Sequence, residues 1–479
     1  MHTKLFTLAV LLPLMLLGCI HDKNDSDGDP PDGGNGGPVE LETALDEYVA
    51  KPDSNYDWNH YATDDDFAYK TFFIDMTSQQ WRHADEVDRT LWQHEVVVTV
   101  PFSLHTNSPR TAILLVDGGK NDDQLSTDAN ELLSAIAVIT GSVVVEVNQI
   151  PNQPLNFSDE TDRPRKEDEI LTYSFDKYLD TGDPEWPVHL AMTKAVVRAM
   201  DTAQDFLWDE EDLPIDDFIV IGGSKRGWTT WLTAAVDSRV KAIAPLSIDM
   251  LNLDEQFLHH FAAYGFYADA LEDYVEFDIP CRLQEPDGQE LLEIVDPYDY
   301  RDRYTMPKLV GNSAGDQFFV SDSSRFYYAD LPEPKWLRYS VNTDHSQNED
   351  VVLALTSWID DINDGKTPPQ YSWTHEADGS IRVIADTDPD KVRLWQATNP
   401  DARDFRLETI GKAWTDVELQ DQGGGVYVGN VLPPGQGWSA YTIEMRYDES
   451  GELEPDQVYT TDVRVTPDTL PFADLGCGN

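Results

Sequence analysis

From about residue 41 to residue 366, short β-branched segments alternate with longer segments whose apolar residues recur every three or four positions. The first pattern is typical of buried strands, and the second of helices with one buried face. Strands are predicted at residues 95–100, 111–116 and 143–147, and a helix at residues 131–139. This alternation predicts an α/β fold in which helices cover both faces of a mostly parallel sheet.

The next strand is predicted at residues 218–221. A glycine-rich turn follows this strand and leads into a helix-like segment. Ser224 lies in this turn between Gly222 and Gly227. Small residues around a serine at a strand-to-helix turn allow the sharp bend that lifts a nucleophilic hydroxyl out of a sheet. The turn is therefore a candidate nucleophile elbow, although Arg226 occupies the second glycine position of the G-x-S-x-G pattern. A turn with only a structural role is the alternative.

A serine nucleophile in such a fold needs an acid and then a histidine, each after a later strand. Asp316 follows the predicted strand at residues 307–312, and His345 follows the predicted strand at residues 335–341. The order serine, acid, histidine is therefore present. Asp249, which follows an earlier strand, is the rival candidate for the acid, and we favour Asp316.

A developing oxyanion requires two or so backbone N–H donors close to the serine. The residue after the serine is Lys225, and a second donor is expected in the loop after the strand at residues 111–116, at Gly118 or Gly119. These glycines can instead serve only a structural turn. The side chains of Lys225 and Arg226 can reach a substrate or pair with carboxylates, and we assign them no catalytic role.

The N-terminus has the composition of an export signal. A lysine precedes the apolar run at residues 5–17, which is too short to span a bilayer stably, and Cys19 ends a lipobox-like sequence. Residues 1–19 are thus predicted to be a lipoprotein signal peptide with lipidation at Cys19. Residues 20–40 are rich in Asp, Gly, Asn and Pro and predict a disordered acidic tether. We expect an exported protein, lipid-anchored to the bacterial cell envelope.

Two cysteines remain after Cys19 is assigned to lipid. Cys281 and Cys477 can pair in an oxidising compartment, although nothing in the sequence shows that they meet. Neither cysteine has the neighbours of a zinc site, and no histidine motif of metal-ligand spacing is present. The sequence predicts no metal and no cofactor.

Two other features are given structural interpretations. Asp322 can cap a short helix at residues 323–329. His259 and His260 are read as core or surface residues, because no ligand pattern accompanies them.

The charge of the chain excludes some partners. The sequence has 89 acidic and 34 basic residues, a formal net charge of −55. Such a surface repels the phosphates of nucleic acids and anionic lipid headgroups. We expect no nucleic-acid partner and membrane contact only through the lipid anchor, whereas the oligomeric state is not specified.

A change of pattern divides the mature chain. A proline-containing segment at residues 367–369 separates the predicted hydrolase-like domain, residues 41–366, from residues 370–475, where short strands alternate with turn signals. This second region is predicted to be a small β-sandwich. Within the first, residues 156–187 and 250–300 interrupt the sheet pattern and are expected to form lid insertions.

Several motifs together resemble one family. They include residues 221–228 (IGGSKRGW), 192–201 (MTKAVVRAMD), 296–298 (DPY), 315–319 (GDQFF) and 467–472 (PDTLPF). The chain resembles the PhoPQ-activated pathogenicity-related protein family over residues 41–475, nearly the whole mature chain. The resemblance implies an α/β-hydrolase fold and the triad Ser224, Asp316 and His345, but it supplies no substrate.

The sequence thus predicts an exported serine hydrolase that cleaves an acyl bond through an acyl-enzyme intermediate. Its partner would be an acyl-bearing small molecule or a peptide, and fold analogy does not choose between ester and amide cleavage. The alternative is a catalytically inactive binding or adhesion lipoprotein on the same scaffold. Arg226 in the glycine position is the main argument for that alternative.

Overall fold

The computed structural model describes residues 43–104, 110–346, 349–447, 456–473 and 477. The predicted signal peptide, the lipidation site Cys19 and the predicted tether lie outside these residues. Among the helices of the described residues, none combines the length and the apolar character that crossing a bilayer requires.

Nine strands of the described residues form one large sheet in the order β1-β2-β3-β5-β4-β6-β7-β8-β9. The strands are β1 (Asp57–Asp65), β2 (Tyr69–Gln80), β3 (Leu91–Pro101), β4 (Thr111–Val116), β5 (Val144–Val147), β6 (Asp217–Gly223), β7 (Val240–Leu246), β8 (Lys308–Ser313) and β9 (Lys335–Ser340). The pairs β1–β2, β2–β3 and β3–β5 are antiparallel. All pairs from β5 through β4 to β9 are parallel, so these strands end at the same edge of the sheet.

Helices are distributed along the whole described chain. They are α1 (Ala44–Ala50), α2 (Glu131–Thr140), α3 (Asp168–Thr181), α4 (Val188–Glu211), α5 (Lys225–Val236), α6 (Leu253–Tyr264), α7 (Glu272–Glu276), α8 (Ile279–Arg282), α9 (Pro286–Val295), α10 (Glu349–Asn363) and α11 (Leu407–Ile410).

The alternation of side chains along each strand creates two cores. Ile219 and Val220 are neighbours in β6, but Ile219 packs in the cluster that contains Trp358 of α10, whereas Val220 packs with residues of α4 and α5. Successive residues of a strand point to opposite faces, so a strand with both faces covered must be apolar throughout. This explains the continuous apolar run of β6 and confirms the predicted α/β-hydrolase fold.

The C-terminal region forms two antiparallel sheets, a three-stranded sheet ordered β10-β11-β14 and a five-stranded sheet ordered β13-β12-β15-β16, with β17 on β15. The strands are β10 (Tyr371–His375), β11 (Ile381–Ala385), β12 (Lys391–Asn399), β13 (Thr415–Glu418), β14 (Val426–Gly429), β15 (Trp438–Tyr447), β16 (Gln457–Thr460) and β17 (Arg464–Thr466). We call residues 371–466 the β module. The antiparallel sheets agree with the predicted fold class, and the domain boundary near residue 366 stays a prediction.

Helices α3 and α6–α9 belong to the two segments that interrupt the sheet pattern, and they pack on one another. We call residues 250–300 the cap. A disulfide joins Cys281 of the cap to Cys477. The sequence did not show whether these two cysteines pair, and the structure shows that they do. Just before Cys477, Phe472 donates its backbone N–H to Ala262 O at 3.0 Å. The C-terminal end of the chain is therefore fixed to the cap.

Candidate active site

The turn after β6 has the backbone of a nucleophile elbow. Ser224 has φ 56° and ψ −129°, a conformation that costs free energy for a residue with a side chain and is concentrated at functional sites. Its N–H donates to Leu246 O at 2.8 Å, and α5 begins at the next residue. The serine hydroxyl therefore lies at the N-terminal end of a helix, where developing negative charge is favoured.

The spacing of the glycines follows from packing around the elbow. A Cβ at Gly222 would lie 2.4 Å from Arg226 O, and a Cβ at Gly227 would lie 2.9 Å from Gly222 O. Both positions therefore exclude a side chain, while Gly223 has open space around it. The long side chain at position 226 fits because it extends away from the elbow turn. In the G-x-S-x-G pattern the second glycine would stand at position 226. Here Gly227 packs closely against Gly222 instead, and the turn keeps its shape.

A continuous line of hydrogen bonds connects three of the sequence-predicted residues. His345 Nε2 lies 2.8 Å from Ser224 Oγ, and His345 Nδ1 lies 2.8 Å from Asp316 Oδ2. An ionised carboxylate only accepts hydrogen bonds, so the proton of a neutral His345 is on Nδ1 and Nε2 is the acceptor. This is the arrangement that a general base requires.

The loops after β8 and β9 position the acid and the base. A Cβ at Gly315 would lie 2.6 Å from Thr343 O, so a glycine lets the two loops approach closely. Asp316 is almost fully buried and accepts a second hydrogen bond from Phe318 N. The ring of Phe318 lies 4.5 Å from the ring of His345, centroid to centroid. These contacts restrict the imidazole to one orientation.

Asp249, the rival acid, has other partners. Its carboxylate accepts hydrogen bonds from Tyr327 Oη at 2.8 Å and Tyr339 Oη at 2.5 Å. Burial raises its pKa to about 7; the two tyrosine hydroxyls lower the pKa only partly, and the charge of Asp316 raises it further. The structure therefore brings Asp316, and not Asp249, to the imidazole.

The predicted oxyanion donors differ in their environment. The N–H of Lys225 opens the first turn of α5 beside Ser224. Gly118 N–H already donates to Asp117 Oδ1 at 2.7 Å, so it would have to give up this bond to bind an oxyanion. Gly119 has φ 122°, which favours glycine, and its carbonyl accepts from Gln153 Nε2 at 2.9 Å. Lys225 is thus better placed than Gly118 as an oxyanion donor.

The two basic side chains of the elbow converge on Glu167. Arg226 Nη1 and Nη2 each donate to this carboxylate at 2.8 Å, and Lys225 Nζ lies 2.9 Å from Glu167 Oε2. Lys225 also lies 3.2 Å from Asp168 Oδ2. Burial by itself raises the pKa of Glu167, but hydrogen bonds from Arg226 and the charges of Lys225 and Arg226 outweigh burial and lower the pKa to about 2.

The same cluster connects three loops around the serine. Gln153 Nε2 donates to Glu167 Oε1 at 2.6 Å as well as to Gly119 O, and Arg226 Nε donates to Ile150 O at 2.6 Å. The guanidinium of Arg226 also lies against Gly118, where a Cβ would come within 2.7 Å of Nη2. Sequence reasoning missed Glu167 and gave Gln153 no role. Arg226 is therefore a side chain that links the elbow to the candidate oxyanion loop.

A cavity of about 50 Å³ lies beside Ser224. Both interrupting segments contribute to its wall, through Asp168, the first residue of α3, and through residues of the cap. No group of three or more His, Cys, Asp or Glu side chains is arranged to hold a metal ion anywhere in the described part of the chain.

The mostly parallel sheet, the elbow at Ser224 and the hydrogen-bonded His345 and Asp316 define an α/β-hydrolase fold with a candidate serine-hydrolase site. The model of the PhoPQ-activated pathogenicity-related protein family matches residues 45–406. The chain belongs to this family.

A relative from Dictyostelium discoideum, autocrine proliferation repressor protein A, is 34% identical over 461 residues, which cover 90% of this chain and 92% of the relative. Among solved structures, an acetyl xylan esterase from Paenibacillus sp. R4 has a TM-score of 0.45 and 16% identity, over 67% of this chain and 96% of that chain. Acetyl xylan esterase 1 from Thermoanaerobacterium sp. JW/SL YS485 has a TM-score of 0.45 and 14% identity, over 67% and 91% of the two chains.

Proposed function

We propose that this protein is a serine hydrolase that cleaves an acyl bond through a covalent acyl-enzyme. The observation that carries the proposal is the line from Ser224 Oγ through His345 to Asp316, with both contacts at 2.8 Å. The strained backbone of Ser224 supports it, because strain of this kind persists where a function retains it.

In the proposed reaction, His345 Nε2 takes the proton of Ser224 Oγ while the oxygen attacks the acyl carbonyl. The imidazolium is stabilised by Asp316 and then donates its proton to the leaving group. A water molecule, deprotonated by the same imidazole, attacks the acyl-enzyme; the bond from the acyl carbon to Ser224 Oγ breaks, the imidazolium returns its proton to Oγ, and the acid is released. The backbone N–H of Lys225 and a donor from the Gly118–Gly119 loop are the proposed oxyanion contacts. The reaction draws on no cofactor.

The substrate bond is an ester or an amide of a small molecule or a peptide. The protein is further proposed to act outside the cytoplasm, anchored by lipid at Cys19. The Cys281–Cys477 disulfide supports this location, since disulfides persist mainly in oxidising compartments.

Labelling with a fluorophosphonate tests the proposal, because such reagents phosphonylate activated serines. We expect an adduct on Ser224, located by mass spectrometry, that is absent in Ser224→Ala and His345→Ala. The matched control is Ser323→Ala, which removes a hydroxyl from the wall of the same cavity and should retain labelling. No adduct in the folded wild-type protein would favour the alternative of an inactive binding protein.

A further inference from the structure

The cavity beside Ser224 is mainly apolar. Its wall includes the side chains Trp228, Ile248, Met250, Leu253, Phe257 and Leu271. The two charged side chains of the wall, Asp168 and Lys225, pair with each other at 3.2 Å, and Tyr274 Oη donates to Asp168. Gln256 and His260 also line the cavity, and burial lowers the pKa of His260 to about 3. The cavity therefore offers mainly apolar contacts and no uncompensated side-chain charge.

The position of the cavity identifies the part of a substrate that it would hold. Ser224 lines the cavity, whereas His345 does not. A leaving group must stay within reach of His345 Nε2, because the imidazole gives it a proton. Phe318 and Phe319 also line the cavity, and their ring centroids lie 4.5 and 6.0 Å from that of His345. We assign the cavity to the acyl chain because an acyl group bound to Ser224 Oγ starts at the cavity wall.

The size of the cavity limits the acyl chain. Because roughly 10–15 Å³ of such space holds one water-sized group, about 50 Å³ accommodates on the order of four non-hydrogen atoms. A longer chain would have to displace buried side chains of the cap, such as Leu271, which is 5% exposed. Packed interiors resist extra methylene groups.

We propose that Ser224 accepts short apolar acyl groups of about two to five carbons and excludes long fatty-acyl chains. This inference rests on the proposed hydrolase function and specifies the substrate class of the same site. The cap contributes to the limit, because its residues Met250, Leu253, Phe257 and Leu271 line the cavity.

The first test compares p-nitrophenyl acetate, butyrate and octanoate with the wild-type mature protein. The leaving group is constant, so differences in kcat/KM report the acyl side alone. One methylene in an apolar pocket changes kcat/KM by roughly 10-fold or more, so we expect acetate or butyrate to exceed octanoate by at least about 100-fold. Equal or better hydrolysis of octanoate would overturn the inference.

The second test enlarges the cavity. Leu271→Ala should raise kcat/KM for octanoate relative to acetate by roughly 10-fold. The control is Leu283→Ala, which truncates another fully buried leucine of the cap that does not line the cavity. The control should leave the chain-length preference unchanged. If both variants relax the preference equally, the cap as a whole limits access and the proposed acyl pocket is wrong. Leu271→Val replaces the alanine variant if that variant does not fold.

Fluorophosphonate labelling separates the two proposals. An adduct on Ser224 together with resistance of all three esters would overturn the short-acyl inference and leave the serine hydrolase standing. Absence of both labelling and hydrolysis would reject the hydrolase function and the inference with it.

Discussion

Two histidine–aspartate pairs of the described residues have nearly the same separation, although they use different ring nitrogens. His345 lies 2.8 Å from Asp316, and His259 Nε2 lies 2.9 Å from Asp322 Oδ1. Both carboxylates are about 2% exposed. The pairs differ in what surrounds them, and the difference shows which groups make such a pair suited to catalysis.

The first pair has a serine on the second nitrogen of its imidazole, and no arginine of the described residues contacts its carboxylate. The second pair has two arginines on its carboxylate instead. Arg403 of the β module donates to both oxygens of Asp322, at 3.2 and 2.6 Å, and Arg325 lies 3.1 Å from it. Burial alone raises the pKa of Asp322, but the charges of Arg403 and His259 outweigh burial and hold the pKa well below its usual value.

The second pair is thus part of an ionic connection between the β module and the segment after β8, while the first is a candidate catalytic pair. A histidine–aspartate contact is therefore informative about catalysis only together with the atom on the other ring nitrogen.

The largest expected effect separates the two pairs by activity. Asp316→Asn removes the charge that stabilises the imidazolium and the acceptor that fixes its tautomer, so kcat should fall roughly 10⁴-fold. Asp322→Asn should change kcat by less than about 10-fold, because its carboxylate does not contact His345. Steady-state kinetics with p-nitrophenyl acetate measure both. Comparable losses in the two folded variants would show that the comparison is wrong.

Stability should show the reverse order. Asp322→Asn leaves Arg403, which is fully buried, without a compensating charge, and removal of one partner from a buried ion pair costs about 3–5 kcal/mol. Asp316→Asn should cost less, because no arginine is left unpaired. The free energy of unfolding from urea titration tests this. Equal stability of wild type and Asp322→Asn would contradict the structural role assigned to the Asp322–Arg403 ion pair.

Arg226→Lys tests how the elbow is positioned. Lysine retains the charge but loses the two-pronged bond to Glu167 and the bond to Ile150 O, so the candidate oxyanion loop is held less firmly. Misplacement by about 1 Å can cost 10²-fold, and we expect kcat to fall 10- to 100-fold with KM little changed.

The matched control for Arg226→Lys is Arg303→Lys. Arg303 makes a two-pronged bond with Asp46, at 2.9 and 2.9 Å, and contacts Ala235 O at the opposite end of α5. Equal losses of kcat in the two variants would indicate a general effect on α5 and contradict a positioning role for Arg226.

The last prediction concerns Asp249 and the pH dependence of stability. Its folded pKa of about 7 exceeds the unfolded value, so the unfolded chain loses this proton first as pH rises. Wild-type stability should therefore decline between about pH 4 and pH 7, by at most about 1.4 kcal/mol per pH unit from this group. Asp249→Asn should remove that part of the decline. An unchanged stability profile from pH 4 to 8 would contradict the raised pKa.

Much of the site was predictable because of where strands end. The parallel strands β6, β8 and β9 finish at one edge of the sheet, and the structure brings Ser224, Asp316 and His345 together there. Their catalytic roles stay predictions. Local spacing could not identify Glu167, which lies 59 residues from Arg226 in a chain with 89 acidic residues. With so many carboxylates, charge alone does not reveal which one meets a given arginine.

Some elements of the fold also could not be predicted from local sequence. The central strands were predictable from their apolar runs, whereas the edge strand β1 was missed because its residues are only partly buried and carry little apolar signal. Asp322 was wrongly read as a helix cap. Its side chain makes no capping bond to the short 3₁₀ helix Ser323–Phe326 and instead pairs with Arg403, 81 residues away. Interactions over such separations depend on the assembled fold.

The disulfide between Cys281 and Cys477 closes a covalent ring of chain that contains Asp316, His345 and the entire β module but excludes Ser224. A protease that cuts once inside this ring would therefore release no fragment. The nicked protein would migrate as a single species on a non-reducing gel and as two bands after reduction. The chain can therefore be cleaved within its β module without Ser224 being physically separated from His345.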